Sequence, residues 1–558
     1  YNEDNKGATP VHFENYRSVL VGRENNDPKA IAENNELLFF TNYSSNNGQT
    51  KSWLHEHDNR YNCYNESLEV AGGVPVNRPN VLVKKMDQYE ITTQAGILHY
   101  NMKWLDDDKG KQKKGAFLKS IWLQTCAYLY TNKIKPTMLE WSCPGSMMEA
   151  DINELDKIYN SLCKLTPIVG AKTTLAYHQN AVTEAEAVCS YALSQNFGLN
   201  SNNMFLGIDV GGSTSDILLL AKDSDNGNKA TLYRESSVRL AAGVFFNAVI
   251  KSDTFRQALL SFHEGHKTNV YVSNIKEILT EPSKAPYFLN SIFDQLKTTE
   301  DYEEFYSSID VNAKFVFTIP AYVTGMLLYY SGMLIGKTIK AEHLERVSRV
   351  DVLSFGKGGR LFHWLINSAG VRATREYYAD CLNAGVRLVV GKELDVVYRD
   401  EIAEDNKAEV AKGLCDPKEL EKKTFSSESD ICGESGVKYI MANGAPKELQ
   451  AEDELTGDYF ANEMNNFDFS GIENFEKFMN IFLDFVSVKT HLYPQADNAL
   501  RSDLADLPNR IASYICNNDT EYRKARNSED GSFHYHQPLI IAEGVCFLDT
   551  LIKKVFDQ

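Results

Sequence analysis

Ten consecutive residues, Gly207-Ile208-Asp209-Val210-Gly211-Gly212-Ser213-Thr214-Ser215-Asp216, bring together the groups that phosphate chemistry needs. An apolar run delivers the Asp209 carboxylate at its end. Gly211 and Gly212 let the chain turn tightly and approach a ligand with no Cβ in the way. Successive N–H groups in such a turn form a concave anion site, and the hydroxyls of Ser213 and Thr214 add donors for phosphate oxygens. Asp209 suits Mg2+ held through water, because that ion keeps much of its hydration shell and takes one or two carboxylates. Asp216 opens the next apolar run. A bare D-x-G-G can equally be a hairpin that merely turns; the ten-residue setting is what favours phosphate.

A second glycine cluster, Gly356, Gly358 and Gly359 followed by Arg360, lies between a strand-like run at 350–354 and a helix-like run at 361–368. Glycine turns after strands are common, so its weight comes from that position. Around the first cluster, 204–210, 214–220 and 230–235 read as strands, with a polar turn at 223–228. Residues 181–194 read as a helix. Upstream, 81–84 and 89–93 read as strands, 103–114 as a charged loop, 117–130 as an amphipathic helix, 137–142 as a buried strand and 149–162 as a helix. Downstream, 401–414 reads as a short helix, 475–485 as an aromatic core helix, 538–542 as a strand and 545–556 as a helix. Strands interleaved with helices argue an α/β fold.

Residues 207–220, GIDVGGSTSDILLL, resemble the second phosphate motif of the actin, DnaK-type chaperone and sugar-kinase superfamily. Residues 182–188 resemble the helix joining the two lobes of DnaK-type chaperones, with Glu184 matching the acid that orients the attacking water. Residues 352–360 resemble the adenosine loop, whose glycines admit the nucleoside. Arg360 matches the guanidinium that stacks on adenine, a favourable cation–aromatic contact. Softer likenesses are 140–145, 239–247 with Gly243, and 407–414 as a second connecting helix in which Ala411 and Gly413 permit close contact. The resemblance spans 81–414.

It implies a two-lobed actin-like (ribonuclease-H-like) α/β ATPase fold with a helical C-terminal extension. Residues 1–196 would form lobe I and 197–395 lobe II, while 396–558 return to lobe I and extend into the tail. ATP or ADP with Mg2+ would be held by Gly211, Gly212, Ser213, Thr214, Asp216, Gly356, Gly358, Gly359 and Arg360. Asp209 would be the metal ligand and, with Glu184, catalytic. Two departures stand out. The family's first phosphate hairpin, a strand carrying D-x-G-T, is not seen: Asp4 sits in a polar stretch and Asp108 in a charged loop. The chain opens on Tyr1, so the hairpin is expected upstream; without it the protein would bind nucleotide but not turn it over. The residues after 414 resemble neither a chaperone's peptide-binding part nor a kinase's substrate lobe, and a partner-binding extension is the default.

The bulk numbers fit this frame. At 558 residues two or more lobes are expected. A net charge of −18 argues against nucleic acid gripped by a basic surface. The ten cysteines include no C-x-x-C pair, which points to reduced thiols and a cytoplasmic location. Residues 315–336 carry no charge and are long enough to span a bilayer. Pro320 and internal glycines favour a split into a β-rich run, 315–319, and a buried core helix, so no membrane insertion is expected. His178 and His363 lie beside apolar residues, as core or surface histidines do, and His534 with His536 has the spacing of a surface strand. The expected function is a Mg-dependent ATPase acting as a chaperone-like or scaffold switch, with a protein partner or self-association. Its alternatives are a filament-forming bacterial-actin-type protein, a small-molecule kinase and an inactive nucleotide sensor. The kinase needs an acidic base facing a substrate pocket, and none is evident.

Overall fold

The computed structural model describes residues 21–22, 97–98, 115, 118, 122, 134–135, 138–143, 147, 149–166, 172–175, 182–194, 199–212, 214–223, 229–265, 302–399, 409–415, 421–422, 431–441, 444–454, 466–518 and 537–556. Outside them lie the expected elements at 81–84, 89–93 and 103–114, most of 117–130 and the turn 224–228. Asp4, Asp108, His178, Ser213, His534 and His536 also lie outside. Of the 117–130 helix, residues 118 and 122 are described and helical. The Trp122 indole donates to the Leu162 carbonyl at 2.9 Å.

Six strands form the main sheet: β1 (Asn203–Val210), β2 (Ser215–Asp223), β3 (Lys229–Val238), β4 (Arg349–Phe355), β5 (Asp395–Tyr398) and β6 (Glu421–Lys422). Their spatial order is β5-β4-β1-β2-β3-β6. The first three make an antiparallel meander, with a bulge opposite Leu219/Leu220. β4 then pairs parallel to β1, β5 parallel to β4, and β6 parallel to β3. The parallel pairings require crossovers, which helices supply. Mixed α/β is therefore the observed class.

Among the described residues the α-helices with defined bounds are, in chain order, α1 (Glu149–Cys163), α2 (Glu184–Ser194), α3 (Gly243–Val249), α4 (Asp253–Gly265), α5 (Tyr302–Ala313), α6 (Thr318–Ala341), α7 (Arg360–Ala369), α8 (Val371–Val390), α9 (Glu409–Cys415), α10 (Glu473–Leu483), α11 (Ala496–Asp506), α12 (Pro508–Asn518) and α13 (Leu539–Phe556). They cover both faces of the sheet, which explains why the middle of β1, 204–208, has no polar side chain on either face. Phe205, Leu218, Leu220, Leu353 and Phe355 face α2. Their neighbours Met204, Leu206, Ile208, Ile217, Leu219 and Val352 face the other way, into the core that holds α6, α7 and α8. This is the two-residue period of a strand, written in apolar residues on both sides.

On the α2 face, α9 crosses α2 at Gly413, where a Cβ would run into the Ala187 backbone. The close contact expected of Gly413 is present. On the other face α6 packs along α8, with Gly332 against the Leu382 carbonyl and Gly385 against that of Tyr329. The apolar window of α6 is long enough to cross a membrane, yet all of it is covered by protein, as in the core helix of a soluble protein.

Three local expectations change. Residues 315–319 are not a strand: a 3-10 turn, Lys314–Phe317, runs directly into α6. Pro320 sits in the first turn of that helix, where its missing N–H costs nothing. Likewise 538–542 is not a strand. The Pro538 carbonyl accepts from the Ile541 and Ala542 amides at 3.1 and 3.0 Å, and α13 starts there. A short apolar run next to a proline suits either a buried strand or a helix start, and periodicity cannot separate them. Finally, 137–142 resolves into two short strands, Met138–Leu139 and Ser142–Cys143, each paired parallel to a later one, with Met138 at 60% exposure.

The aromatic helix expected at 475–485 is core: Phe475, Phe478, Phe482 and Phe485 are all buried. Together with α11, α12 and α13 it shares one continuous apolar core with the main sheet. None of the described cysteines is in a disulfide, and most are buried, which matches their apolar settings.

Candidate functional site

Asp209 lies one residue before the end of β1, directly opposite Asp216 on β2. Paired residues of an antiparallel ladder share a face, with Cβ atoms about 5 Å apart. Both carboxylates continue the rows that face α2, Phe205–Gly207 on β1 and Leu218–Leu220 on β2. Asp216 is buried and Asp209 half-buried. Two like charges so close repel, and a dication beside them would remove that cost.

The turn after β1 is held from behind. Gly211 N–H donates to the Thr214 carbonyl at 2.9 Å. The Gly211 and Gly212 carbonyls accept from Ala242 and Gly243 N–H at 3.1 and 2.9 Å. In a trans peptide the next N–H points opposite to the carbonyl. Anchoring the Gly211 carbonyl to the 241–243 loop therefore aims the Gly212 N–H away from it. Gly212 is exposed, and a Cβ there would meet nothing within 4 Å. The turn thus combines a backbone donor aimed away from the 241–243 loop with open space at Gly212, two features of an anion nest.

The second glycine loop lies against the same strand end. Gly356 has φ 70°, a conformation that favours glycine, and a Cβ there would strike the Asp209 carboxylate and the Val210 carbonyl. Gly358 is pressed on Val210 and Ala242, and Gly359 on Ser354. Residues 209–212 with Thr214, and the segments 241–243 and 356–359, therefore converge at the carboxyl ends of the adjacent parallel strands β1 and β4. They bring together Asp209, Gly211, Gly212, Thr214, Asp216, Gly356, Gly358 and Gly359.

Arg360 and Glu184 have other surroundings. The Arg360 guanidinium lies 5.8 Å over the Trp364 ring, one turn along α7, so its cation–aromatic partner is a side chain of the protein. Glu184 opens α2. Thr183 and Glu186 form a capping box there: the Thr183 amide donates to Glu186 Oε2 at 2.8 Å, and the Glu186 amide to Thr183 Oγ1 at 3.1 Å. The box occupies Glu186 and leaves Glu184 as the other acid of the first turn. Glu184 lies near Tyr159, whose hydroxyl is pushed up to about 12 by burial and then by the Glu184 charge.

The T-x-x-E pattern of the capping box is legible in the sequence, although only Glu184 was singled out there as functional. The role of 241–243 rests on hydrogen bonds across more than twenty residues, for which the sequence carries no local signal.

The open space at Gly212 sets a clear expectation. Gly212→Val should leave the melting temperature near that of the parent while abolishing Mg-ATP binding, as measured by thermal melting and calorimetry. Normal binding by the folded variant would make the turn purely structural.

Among the described residues no cluster of three or more His, Cys, Asp or Glu gathers to cage a metal. A hydrated Mg2+ needs only one or two carboxylates, and Asp209 with Asp216 opposite meets that need. In comparisons with known proteins, no protein family and no curated protein matches the chain.

Proposed function

We infer that this protein binds ATP with Mg2+ at the ends of β1 and β4 and hydrolyses it as an actin-like conformational switch. The observation that carries the reading is the meeting of Asp209, the glycine turn and the Gly356 loop on one sheet end. Ligands of α/β sheets collect at the carboxyl ends of strands, where glycine turns and N–H groups are exposed. The strand order, an antiparallel meander followed by two parallel strands on the β1 side, supports the ribonuclease-H-like core that the resemblance implies. The α2–α9 crossing on one sheet face supports the reading too, because helices joining two lobes would cross there.

In this reading the Gly212 N–H and the Thr214 hydroxyl bind phosphate oxygens. The 356–359 loop, which its glycines let pack closely beside Asp209, Val210 and Ala242, would border the nucleoside. Asp209, with Asp216 beside it, would hold the metal, which when bound neutralises charge on the phosphates. Glu184 orients the attacking water. Helix α2, which opens on Glu184, packs on the sheet face that carries Asp209 and Asp216, and in this reading its first turn would lie at the Asp209 end. The product is ADP and phosphate, and the output is a change in lobe closure read by a protein partner or a second copy in the cytoplasm. No step uses the membrane.

The test is calorimetry of Mg-ATP binding to the parent and to Asp209→Ala. The substitution should weaken binding in the presence of Mg2+ at least ~10-fold, as expected for loss of a charged partner. Equal affinities would remove Asp209 from the site and the reading with it.

A further inference from the structure

The hydrogen bonds that aim the phosphate turn continue past the 241–243 loop to the other end of the chain. The Gln537 side-chain oxygen accepts from the Arg239 N–H at 2.9 Å, and its nitrogen donates to the Ser237 carbonyl at 3.3 Å. The amide therefore grips the backbone on both sides of Val238, the last residue of β3, from 298 residues away in sequence. Gln537 is 8% exposed and stands two residues before α13. From Arg239 the chain passes Leu240, whose carbonyl accepts from Ser215 Oγ at 2.5 Å, and reaches Ala242 and Gly243, which hold the turn carbonyls. Segment 239–243 is thus fastened at one end by the C-terminal segment and at the other by the turn it positions.

On the reading that this turn binds nucleotide, we propose that Gln537 is a positioning residue for the phosphate turn, through which α13 and bound nucleotide affect each other. An amide offers a permanent donor and acceptor at this spacing, which a carboxyl of the same length matches only when protonated. A shift of 239–243 moves both carbonyl anchors of the turn, and with them the N–H that faces phosphate. Coupling of this kind is reciprocal: what α13 does to nucleotide affinity, nucleotide does to α13.

The experiment uses the full chain, with Gln537→Met, which keeps length but neither bond, and Gln537→Glu, which keeps the acceptor alone. Mg-ATP affinity is measured by calorimetry, amide exchange of α13 with and without Mg-ATP, and nucleotide-free stability by urea. In the parent, Mg-ATP should slow exchange in α13. Gln537→Met should weaken Mg-ATP about 10-fold, within the usual range of coupling between sites, and abolish that protection, with Gln537→Glu in between. A Met variant that unfolds more easily but binds Mg-ATP normally and still protects α13 would make Gln537 a structural staple and overturn the proposal. If the Met variant does not fold, the Glu variant decides by the same two readouts. A parent that binds Mg-ATP without protecting α13 also overturns it. A parent that binds no Mg-ATP removes the nucleotide reading, and this proposal falls with it.

Discussion

Glutamine in place of Glu184 should leave Mg-ATP affinity nearly unchanged while slowing hydrolysis by roughly 100-fold or more, the usual loss when a positioned acid–base group is removed. Glutamine keeps the size and hydrogen bonding of the side chain but not its charge, so only a step that needs the charge is affected. The neighbouring acid offers no substitute. Glu186 is committed to the Thr183 amide in the capping box, and moving it would cost the start of α2. Tyr159 beside Glu184 stays protonated well past neutrality, so it can donate a hydrogen bond there but not act as a base. Single-turnover kinetics with binding measured separately is the check. Unchanged hydrolysis would return Glu184 to the status of a helix-end residue. ATP binding without turnover in the parent would make the protein a nucleotide sensor.

The second large effect concerns stability and lies far from the glycine turn. Glu434 and Glu543 are both fully buried and touch each other, one on the segment before α10 and one on α13. Glu434 accepts the Ser435, Asn474 and Phe475 amides at 2.7, 2.7 and 2.9 Å, which suits an ionised carboxylate at the start of α10. No donor among the described residues reaches either oxygen of Glu543, as expected if Glu543 carries the proton and shares it with Glu434. Burial pushes Glu434 up to about 7, and burial with the Glu434 charge pushes Glu543 well above the carboxylate range. The pair also faces Cys432, Cys546 and Tyr322, with Asp453 near Cys432 and Tyr329 near Glu434. The thiols and phenols among these are pushed up by burial, out of the acid and neutral range.

The sign of the pH effect follows. Carboxyls raised in the folded state contribute stability that is fully present below their unfolded values and lost as pH rises through the folded ones. Parent stability should therefore fall as pH rises from about 4.5 through about 7, by on the order of 3 kcal/mol from Glu434, and fall further as Glu543 loses its proton. Glu543→Gln replaces the shared proton with a permanent amide donor to Glu434. The variant keeps only the Glu434 titration, so its decline should be shallower than the parent's and it should become the more stable protein above pH 7. Urea unfolding across pH 5 to 8 measures the difference, and parallel profiles would show that the pair is not sharing a proton. Asp351 acts in the opposite direction. Its carboxyl lies below the usual range because Arg349, Asn203 and Arg399 bond to it, outweighing burial. It favours stability at higher pH, so the comparison of parent with variant isolates the glutamates.

Local chemistry made several features legible from residue order. The strand–turn–strand around Asp209 announced itself because a run of apolar residues, two glycines and a second apolar run leave the backbone few alternatives. The 356–359 loop between strand and helix, the core role of 475–485 and the close helix contact at Gly413 were legible for similar reasons, since each depends on residue size and spacing within a short segment. The runs beside Pro320 and Pro538 were misread as strands, because propensity over five residues is weaker than the layer of helices into which they fold.

What residue order could not supply is every contact whose partners lie far apart along the chain. That Asp209 meets Gly356 follows from the parallel pairing of β1 with β4. The partners of Gln537 and of Glu543 lie about 300 and 100 residues away, and nothing in their own neighbourhoods marks them. Arg360 is the local counterpart: Trp364, under its guanidinium, is only four residues on. Residue types and spacing set the chemistry each segment can do. Burial and strand pairing, which are properties of the whole core, decide which segments meet and which carboxyl keeps its proton.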